Sequence, residues 1–151
     1  MTTGPPLTLY ELLEIARRKI ERLSPNEAFA ASQDGALIVD IRSDADRDHA
    51  GVVPGSVHIP RTVLEWRLAP ESAWRNPHVG GLDRQIVVLC NHGYSSSLAA
   101  ATLVDLGFAR AGDVVGGFEA WQEMELPVAQ PTRRRVPPAP PGMEPPEPFL
   151  T

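Results

Sequence analysis

The stretch QIVVLCNHGYSSSL, residues 85–98, decides the fold. Its first part, residues 85–89, is almost wholly apolar and β-branched, which predicts a strand buried on both faces of a sheet. Its serine-rich part begins a predicted helix over residues 96–106, and Gly107 would end that helix. Cys90 therefore lies between a strand and a helix, in a loop that contains a glycine.

This placement indicates a chemical role for Cys90. Successive backbone N–H groups in such a loop, with the positive end of the following helix, form a site for an anion. They would favour the thiolate, which is the nucleophilic form of cysteine, and equally a persulfide anion. A lone cysteine is often an inert core residue, but this one stands outside the predicted elements, so we predict a catalytic nucleophile.

The residues that follow Cys90 have structural as well as functional interpretations. His92 could donate to a substrate oxygen, although a solvated loop histidine is the favoured interpretation. Serine at the start of a helix has an ordinary structural use, so Ser95 or Ser96 is predicted to cap the helix rather than to bind substrate.

A second apolar run, ALIVDI at residues 36–41, predicts another central parallel strand. Asp40 and Arg42 stand at its carboxyl end, which is the sheet edge where α/β folds place their ligand cleft. They could flank the site of Cys90, but an ion pair that holds the loops together is the favoured interpretation.

The remaining patterns alternate between helices and strands, which predicts an α/β sheet with helices on both faces. Capping boxes begin with Thr8 and with Ser24, and Thr62 is predicted to cap a further helix. The further predicted helices are 9–23, 25–33, 43–50, 118–123 and a short helix that begins at residue 62. The further predicted strands are 56–59 and 111–115. Residues 70–83 are predicted as a loop. The apolar stripe of the first helix would serve equally for packing on its own domain or on a second copy.

Composition limits the classes of function. The chain has 151 residues, which fits one domain, and a formal net charge of −5. Its basic cluster is Arg133–Arg135, so no nucleic-acid partner is predicted. The apolar runs are far shorter than the roughly 20 residues of a membrane span. One cysteine permits no internal disulfide and suits a reducing compartment, so a soluble, cytoplasmic protein without membrane partners is predicted.

Composition also changes along the chain. Residues 131–151 hold half of the 16 prolines, which predicts an extended tail. The predicted organisation is an N-terminal helical extension (1–23), a central α/β domain (24–128) and a proline-rich flexible tail (129–151). A homodimer, or a partner docked on the N-terminal helix or the tail, is left open. The histidines lack ligand spacing and no cysteines pair, so neither a metal nor an organic cofactor is predicted.

Five strings in order and spacing resemble the rhodanese family: LIVDIR (37–42), VPGSVHIP (53–60), VLCNHGYSS (88–96), LGF (106–108), and GGFEAW (116–121) with LPV (126–128). The resemblance covers about residues 24–128. It implies a five-stranded parallel sheet with helices on both faces and a six-residue active loop, 90–95.

The resemblance also implies an activity, that of a single-domain sulfurtransferase. Cys90 would carry sulfane sulfur as a persulfide, taken from thiosulfate, a mercaptopyruvate-like compound or a protein persulfide, and passed to a thiol or cyanide. The loop N–H groups would stabilise the persulfide as an oxyanion hole does. The implied substrate-binding loop is Asn91, His92, Gly93, Tyr94, Ser95 and Ser96, with Asp40, Arg42 and Arg61 in support.

One position departs from the family pattern. Many single-domain rhodaneses end the active loop with arginine, whereas this chain has Ser95. Losing a charged hydrogen bond would weaken binding of doubly charged thiosulfate by roughly ten- to a hundredfold. A small hydroxyl residue here is similar to mercaptopyruvate sulfurtransferases, so an organic or protein donor is an alternative, and Arg42 or Arg61 could supply the charge.

Two other functions compete. A cysteine phosphatase or arsenate reductase uses a similar anion cradle but needs an arginine six residues after the cysteine, and residue 96 is serine. A non-catalytic rhodanese-like module that binds protein partners is the alternative from a different class. Retention of Cys90 and the loop glycine favours catalysis.

Overall fold

The computed structural model describes residues 4–132, which form a parallel sheet between two layers of helices. The strands are β1 (Glu21–Leu23), β2 (Leu37–Asp40), β3 (Val57–His58), β4 (Ile86–Leu89) and β5 (Ala111–Val114). The helices are α1 (Leu9–Lys19), α2 (Pro25–Gln33), α3 (Asp44–Ala50), α4 (Leu64–Leu68), α5 (Ser95–Asp105) and α6 (Gly117–Glu123). The predicted five-stranded parallel sheet is confirmed.

The strand order is β1-β5-β4-β2-β3, so β4, which precedes Cys90, lies at the centre. Alternate residues of β4 point to opposite sides of the sheet. Ile86 and Val88 pack in the hydrophobic cluster that contains residues of α4 and α5, and Val87 and Leu89 pack in the cluster that contains residues of α2 and α6. Both faces of β4 are therefore buried, as its apolar sequence predicts.

Several local signals act as predicted. Thr8 and Glu11 form a capping box at the start of α1, and Ser24 and Glu27 form another at the start of α2. Gly107 follows α5 with φ of +109°, a backbone conformation that residues other than glycine rarely adopt. Residues 70–83 contain neither helix nor strand, as expected.

The predicted first helix, residues 9–23, is wrong at its end. The helix stops at Lys19, and residues 21–23 form the edge strand β1, in which Glu21 pairs with Gly112 of β5. A Cβ atom on Gly112 would lie 2.0 Å from the carbonyl oxygen of Glu21, so this close approach requires glycine. Ile20 and Leu23 fit the helical spacing of the sequence by coincidence: Ile20 ends α1, and pairing with β5 decides the conformation of residues 21–23.

The predicted cap at Thr62 is also wrong. Residues 61–63 form a 3-10 turn, and α4 begins at Leu64 after Val63, which makes no side-chain capping bond. A single 3-10 turn uses the same backbone turn signals as a helix start, so the sequence pattern did not separate them.

The two ends of the described chain pack on the central domain. Helix α1 lies against α5 and buries Leu13 and Ala16, so part of its apolar stripe packs on its own domain, while Leu9 and Leu12 are exposed. Ala129, the first residue of the predicted tail, forms an antiparallel bridge with Val52. The rest of that predicted tail from residue 133 lies outside the described residues.

Candidate active site

Cys90 lies directly after β4, at the carboxyl edge of the sheet, and is 8% exposed. Its sulfur accepts backbone N–H groups from Gly93 (N to Sγ, 3.2 Å) and from Ser96 (N to Sγ, 3.4 Å). Two donors aimed at one sulfur stabilise a negative charge on it more than a neutral thiol. The arrangement predicted from the sequence, a cysteine in a loop of inward N–H groups, is therefore present in the structure.

The curvature of this loop depends on Gly93. Its φ is +82°, in the left-handed region, and a Cβ atom there would lie 2.7 Å from the backbone nitrogen of Gly116. The loop therefore packs directly on Gly116 and Gly117, the N-cap and the first residue of α6. This packing brings the 88–96 segment against the two glycines of the 116–121 segment, so both segments belong to one site.

The first turn of α6 fixes the carbonyl groups of the loop. The backbone N–H of Phe118 donates to Cys90 O at 2.8 Å, and that of Glu119 donates to Asn91 O at 3.1 Å. These N–H groups would otherwise have no partner, because the first turn of a helix has no preceding carbonyls. With these two carbonyls bound by α6, the loop is held at its start.

A buried carboxylate lies beneath the start of α5. Asp113, on β5, is fully buried, and its Oδ2 accepts the hydroxyls of Ser96 (2.8 Å) and Ser97 (2.7 Å). Its Oδ1 accepts Nε of Arg22 at 3.0 Å. The predicted capping by Ser95 or Ser96 is wrong, because α5 begins at Ser95 and both serines lie inside it: the N-cap is Tyr94, without a side-chain bond, and the Ser96 hydroxyl donates to Asp113.

Asp40 and Arg42 form a buried ion pair, which confirms the favoured interpretation. The Arg42 Nη2 atom lies 2.8 Å from Asp40 Oδ2, and both side chains are at most 1% exposed. Arg42 also donates to Gly51 O at 2.8 Å, and its guanidinium carbon lies 4.0 Å from the centre of the Phe118 ring. The pair thus joins the end of β2 to α6 and to the loop after α3.

A cleft of about 420 Å³ opens over the sulfur. It brings together most of the residues predicted for the site: Arg42, Arg61, Cys90, Asn91, His92, Tyr94 and Ser95, with Ile41, Ser43 and Asp46. Arg61 is half exposed and donates to Glu65 at 2.8 Å. Gly93 and Ser96 contact the sulfur through their backbone N–H groups, and Asp40 contacts Arg42, which lines the cleft.

Two polar pairs lie at the rim of this cleft. Asn91 donates to Asp46 Oδ2 at 2.9 Å, and this hydrogen bond, followed by one from Ser43, lowers the pKa of Asp46. His92 Nδ1 lies 2.8 Å from Glu119 Oε2, and both side chains are more than half exposed. His92 is thus solvent-exposed, as expected, but one ring nitrogen is held by a carboxylate.

Sequence reasoning missed the groups that hold the outer side of the loop. Arg17 of α1 and Arg22 of β1 both donate to the Gly93 carbonyl, at 2.8 and 3.1 Å. Both belong to the segment predicted as a separate helical extension, and their partners are more than 70 positions away. The basic residues on the buried side of an amphipathic helix were the available signal, and Asp113 in an apolar strand was another.

Within residues 4–132, no group of histidine, cysteine, aspartate or glutamate side chains has the arrangement of a metal site. No helix in this part of the chain has the length and apolarity to cross a membrane.

Comparisons with known proteins agree with this geometry. A family model for the rhodanese-like domain matches residues 24–124. A thiosulfate sulfurtransferase GlpE from Pseudomonas savastanoi is 36% identical over 104 residues, which cover 69% of this chain and 89% of that protein.

Two solved structures extend the comparison. A protein of unknown function from Rhodopseudomonas palustris, described as a possible tyrosine phosphatase, is 31% identical, with a TM-score of 0.75 over 85% of this chain and 98% of that one. The human single-domain sulfurtransferase TSTD1 is 25% identical, with a TM-score of 0.57 over 70% of this chain and 96% of that one. The chain therefore belongs to the rhodanese family of sulfurtransferases.

Proposed function

We propose that Cys90 carries sulfane sulfur as a persulfide between a donor and an acceptor thiol. The observation that carries the proposal is the pair of backbone N–H groups, from Gly93 and Ser96, that converge on Cys90 Sγ. A persulfide places its negative charge one sulfur further into the cleft. There the backbone N–H groups of the loop and the N-terminus of α5 stabilise anions. The same groups can therefore serve the thiolate and the loaded form.

The reaction takes two displacements. The Cys90 thiolate attacks the outer sulfur of thiosulfate and forms a new S–S bond, while the S–S bond of thiosulfate breaks and sulfite leaves with its electron pair. An acceptor thiolate, or cyanide, then attacks the terminal sulfur of the persulfide. The bond to Cys90 breaks, the thiolate is regenerated, and the acceptor leaves as a persulfide or as thiocyanate.

The cleft contains little free positive charge for a dianionic donor. Ser95 stands where a loop arginine would be, Arg42 is paired with Asp40, which Arg47 also contacts, and Arg61 is paired with Glu65. We infer weak binding of thiosulfate and better use of a mercaptopyruvate-like compound or a protein persulfide. The similarity to a thiosulfate sulfurtransferase supports thiosulfate as a donor, so the mass experiment below compares the donors directly.

The proposal assigns roles to the other cleft residues. Asn91 and Asp46 shape one side of the entrance, and Arg61, although paired with Glu65, is the partly exposed arginine of the cleft lining and favours an anionic donor there. His92, held by Glu119, and Tyr94 stand at the rim, where an acceptor would approach. The donor in this proposal is a small sulfur-containing anion or a protein persulfide. Three further points stay predictions: a cytoplasmic location, a homodimer, and docking of a partner through α1 or the tail.

A cysteine phosphatase is the second candidate, because the similar Rhodopseudomonas protein is described as a possible tyrosine phosphatase. Phosphoryl transfer needs a positive charge on the equatorial oxygens of the transition state. In this chain the residue six positions after Cys90 is Ser96, whose hydroxyl donates to Asp113. This contact favours sulfur transfer over phosphate hydrolysis.

The intact mass of the protein tests the proposal. Wild type and a Cys90→Ala variant are exposed separately to thiosulfate, to 3-mercaptopyruvate and to a cysteine-desulfurase persulfide source. We expect a gain of one sulfur on wild type that a reductant removes, and none on the variant, because only Cys90 has the converging donors. If no donor adds a sulfur to wild type, the non-catalytic binding module is favoured. If wild type hydrolyses p-nitrophenyl phosphate and the Cys90→Ala variant does not, the phosphatase is favoured.

A further inference from the structure

The outer side of the active loop carries more positive charge than the cleft does. The Gly93 carbonyl accepts Nη2 of Arg17 at 2.8 Å and Nη2 of Arg22 at 3.1 Å. Placing two guanidinium groups on one backbone oxygen is costly, because the two cations repel each other. The cost is offset where a nearby anion is stabilised by them. The buried Asp113 balances one of them, because it is paired with Arg22.

We propose that Arg17 is a positioning residue of the active site, and that it supplies from behind the loop the positive charge that Ser95 does not supply from within it. This inference rests on the proposed persulfide chemistry at Cys90. It also makes α1 a part of the site, although α1 lies outside the matched family region, residues 24–124.

The contacts of Arg17 suit this role. Besides its bond to Gly93 O, its Nε donates to the Ser97 hydroxyl at 3.1 Å, and its guanidinium carbon lies 5.5 Å from the centre of the Tyr94 ring. One planar guanidinium thus bridges the middle of the loop and the first turn of α5. Lysine has no planar fork and could not make both bonds in this geometry.

The Gly93 carbonyl is a useful point to hold. The neighbouring N–H of Gly93 is one of the two donors to Cys90 Sγ, so fixing this residue fixes that donor. A trans peptide is planar, with its C=O and N–H on opposite sides. A cation bound to Gly93 O therefore polarises the Tyr94 N–H on the side of the loop away from the arginines, which raises the positive potential there.

The second donor to the sulfur is held by the same network. The Ser96 N–H lies 3.4 Å from Sγ, and the Ser96 hydroxyl donates to Asp113, which in turn accepts Arg22. Ser97 joins the two arginine branches, since its hydroxyl accepts Arg17 Nε and donates to Asp113. Both N–H groups on Cys90 are therefore held from the outer side of the loop.

The chain offers a matched control. Arg18 neighbours Arg17 on α1, carries the same charge, and is 72% exposed in an ion pair with Glu14. Arg17→Ala and Arg18→Ala therefore remove the same charge and side chain from adjacent positions. Arg17→Lys keeps the charge and loses the bridge.

Two readouts test the inference on the full-length protein. The first is kcat and KM for sulfur transfer from the best donor found by mass spectrometry. We expect Arg17→Ala to lower kcat/KM about tenfold, mainly through kcat, because a misplaced loop acts on the reacting sulfur. Arg17→Lys should recover part of this loss, and Arg18→Ala should match wild type.

The second readout does not depend on sulfur transfer: it is hydrogen exchange of the loop amides, residues 90–96, compared with the amides of β4. Arg17→Ala should speed exchange in the loop and leave β4 unchanged, which separates lost positioning from lost stability. Exchange and kcat/KM equal to those of Arg18→Ala would overturn the inference. Faster loop exchange in a protein whose wild type accepts no sulfur would overturn the proposed function and leave the role of Arg17 in holding the loop supported.

Discussion

Two buried carboxylates flank the central strand and differ in what they hold. Asp40 ends β2, Asp113 lies on β5, and both are fully buried and paired with arginine. Asp40 binds Arg42, two residues away, and Arg47, seven residues away, and the side chains of Asp40 and Arg42 are almost wholly buried. Asp113 binds Arg22 from the other end of the chain together with hydroxyls from the active-site helix. The first carboxylate joins elements of the fold, and the second connects the sheet to the loop and helix that follow Cys90.

The largest effect on stability is expected from Asp40→Asn. The change leaves the Arg42 guanidinium buried without its counter-charge, which costs about 3–5 kcal/mol in the free energy of unfolding. Urea unfolding followed by circular dichroism measures the loss. The kcat/KM per folded molecule should fall less than in Asp113→Asn, and a stability equal to wild type would remove the distinction between the two carboxylates.

Asp113→Asn should have the opposite balance. Arg22 is 23% exposed and can turn to solvent, so the free energy of unfolding should fall by only about 1–3 kcal/mol. The hydroxyls of Ser96 and Ser97 lose a charged acceptor, and the kcat/KM for sulfur transfer should fall more than tenfold. Steady-state kinetics below the unfolding transition check this, with Ser97→Ala as a milder change. If activity falls only as far as the folded fraction does, Asp113 has no separate role at the loop.

The smallest effect concerns a third carboxylate at the same edge, Asp46, which is exposed. The hydrogen bond from Asn91 holds the pKa of Asp46 below its ordinary value of 3.8. A pKa that is lower in the folded than in the unfolded protein means that this bond stabilises the fold above pH 3.8 and that the contribution is lost as pH falls through the folded pKa.

An NMR titration of the Asp46 carboxyl group measures this directly. In wild type the midpoint should lie below 3.8, and in Asn91→Ala it should move upward, because the hydrogen bond with the largest effect is gone. Glu27, whose pKa is lowered by the capping box with Ser24, provides an internal control that should not move. An unchanged Asp46 midpoint would show that the Asn91 contact is not formed in solution.

The difference between the two buried carboxylates also shows what the sequence can predict. The capping boxes and the Asp40–Arg42 pair join residues two or three positions apart, so local spacing revealed them. The Asp113–Arg22 pair joins residues 91 positions apart and depends on β1 lying beside β5. Because β1 was predicted as the end of a helix, the sequence pattern did not place Arg22 beside Asp113.

The serines after Cys90 illustrate a second limit. Their position at a helix start correctly predicted the helix, but the hydroxyl partners depended on a carboxylate from another strand. The helix begins at Ser95, one residue earlier than predicted, so Ser96 lies inside it, and its hydroxyl donates to the buried carboxylate, which is a stronger acceptor than a neutral oxygen. The place of Cys90, by contrast, depended only on a strand, a glycine and a helix in succession, and the sequence predicted it correctly.

The sheet order has a consequence for biosynthesis. The first strand to leave the ribosome, β1, pairs with the last, β5, and the register joins Leu23 to Val114. Until β5 is synthesised, β1 has no neighbour in the sheet. Bringing β1 to β5 closes a long loop of chain, whose entropic cost makes this pairing a late step of folding. Strand β4 and helix α5 can pair and pack earlier. We therefore expect the nucleophile to be present in a partly folded nascent chain before its surrounding donors are fixed, so that the reactive loop matures last.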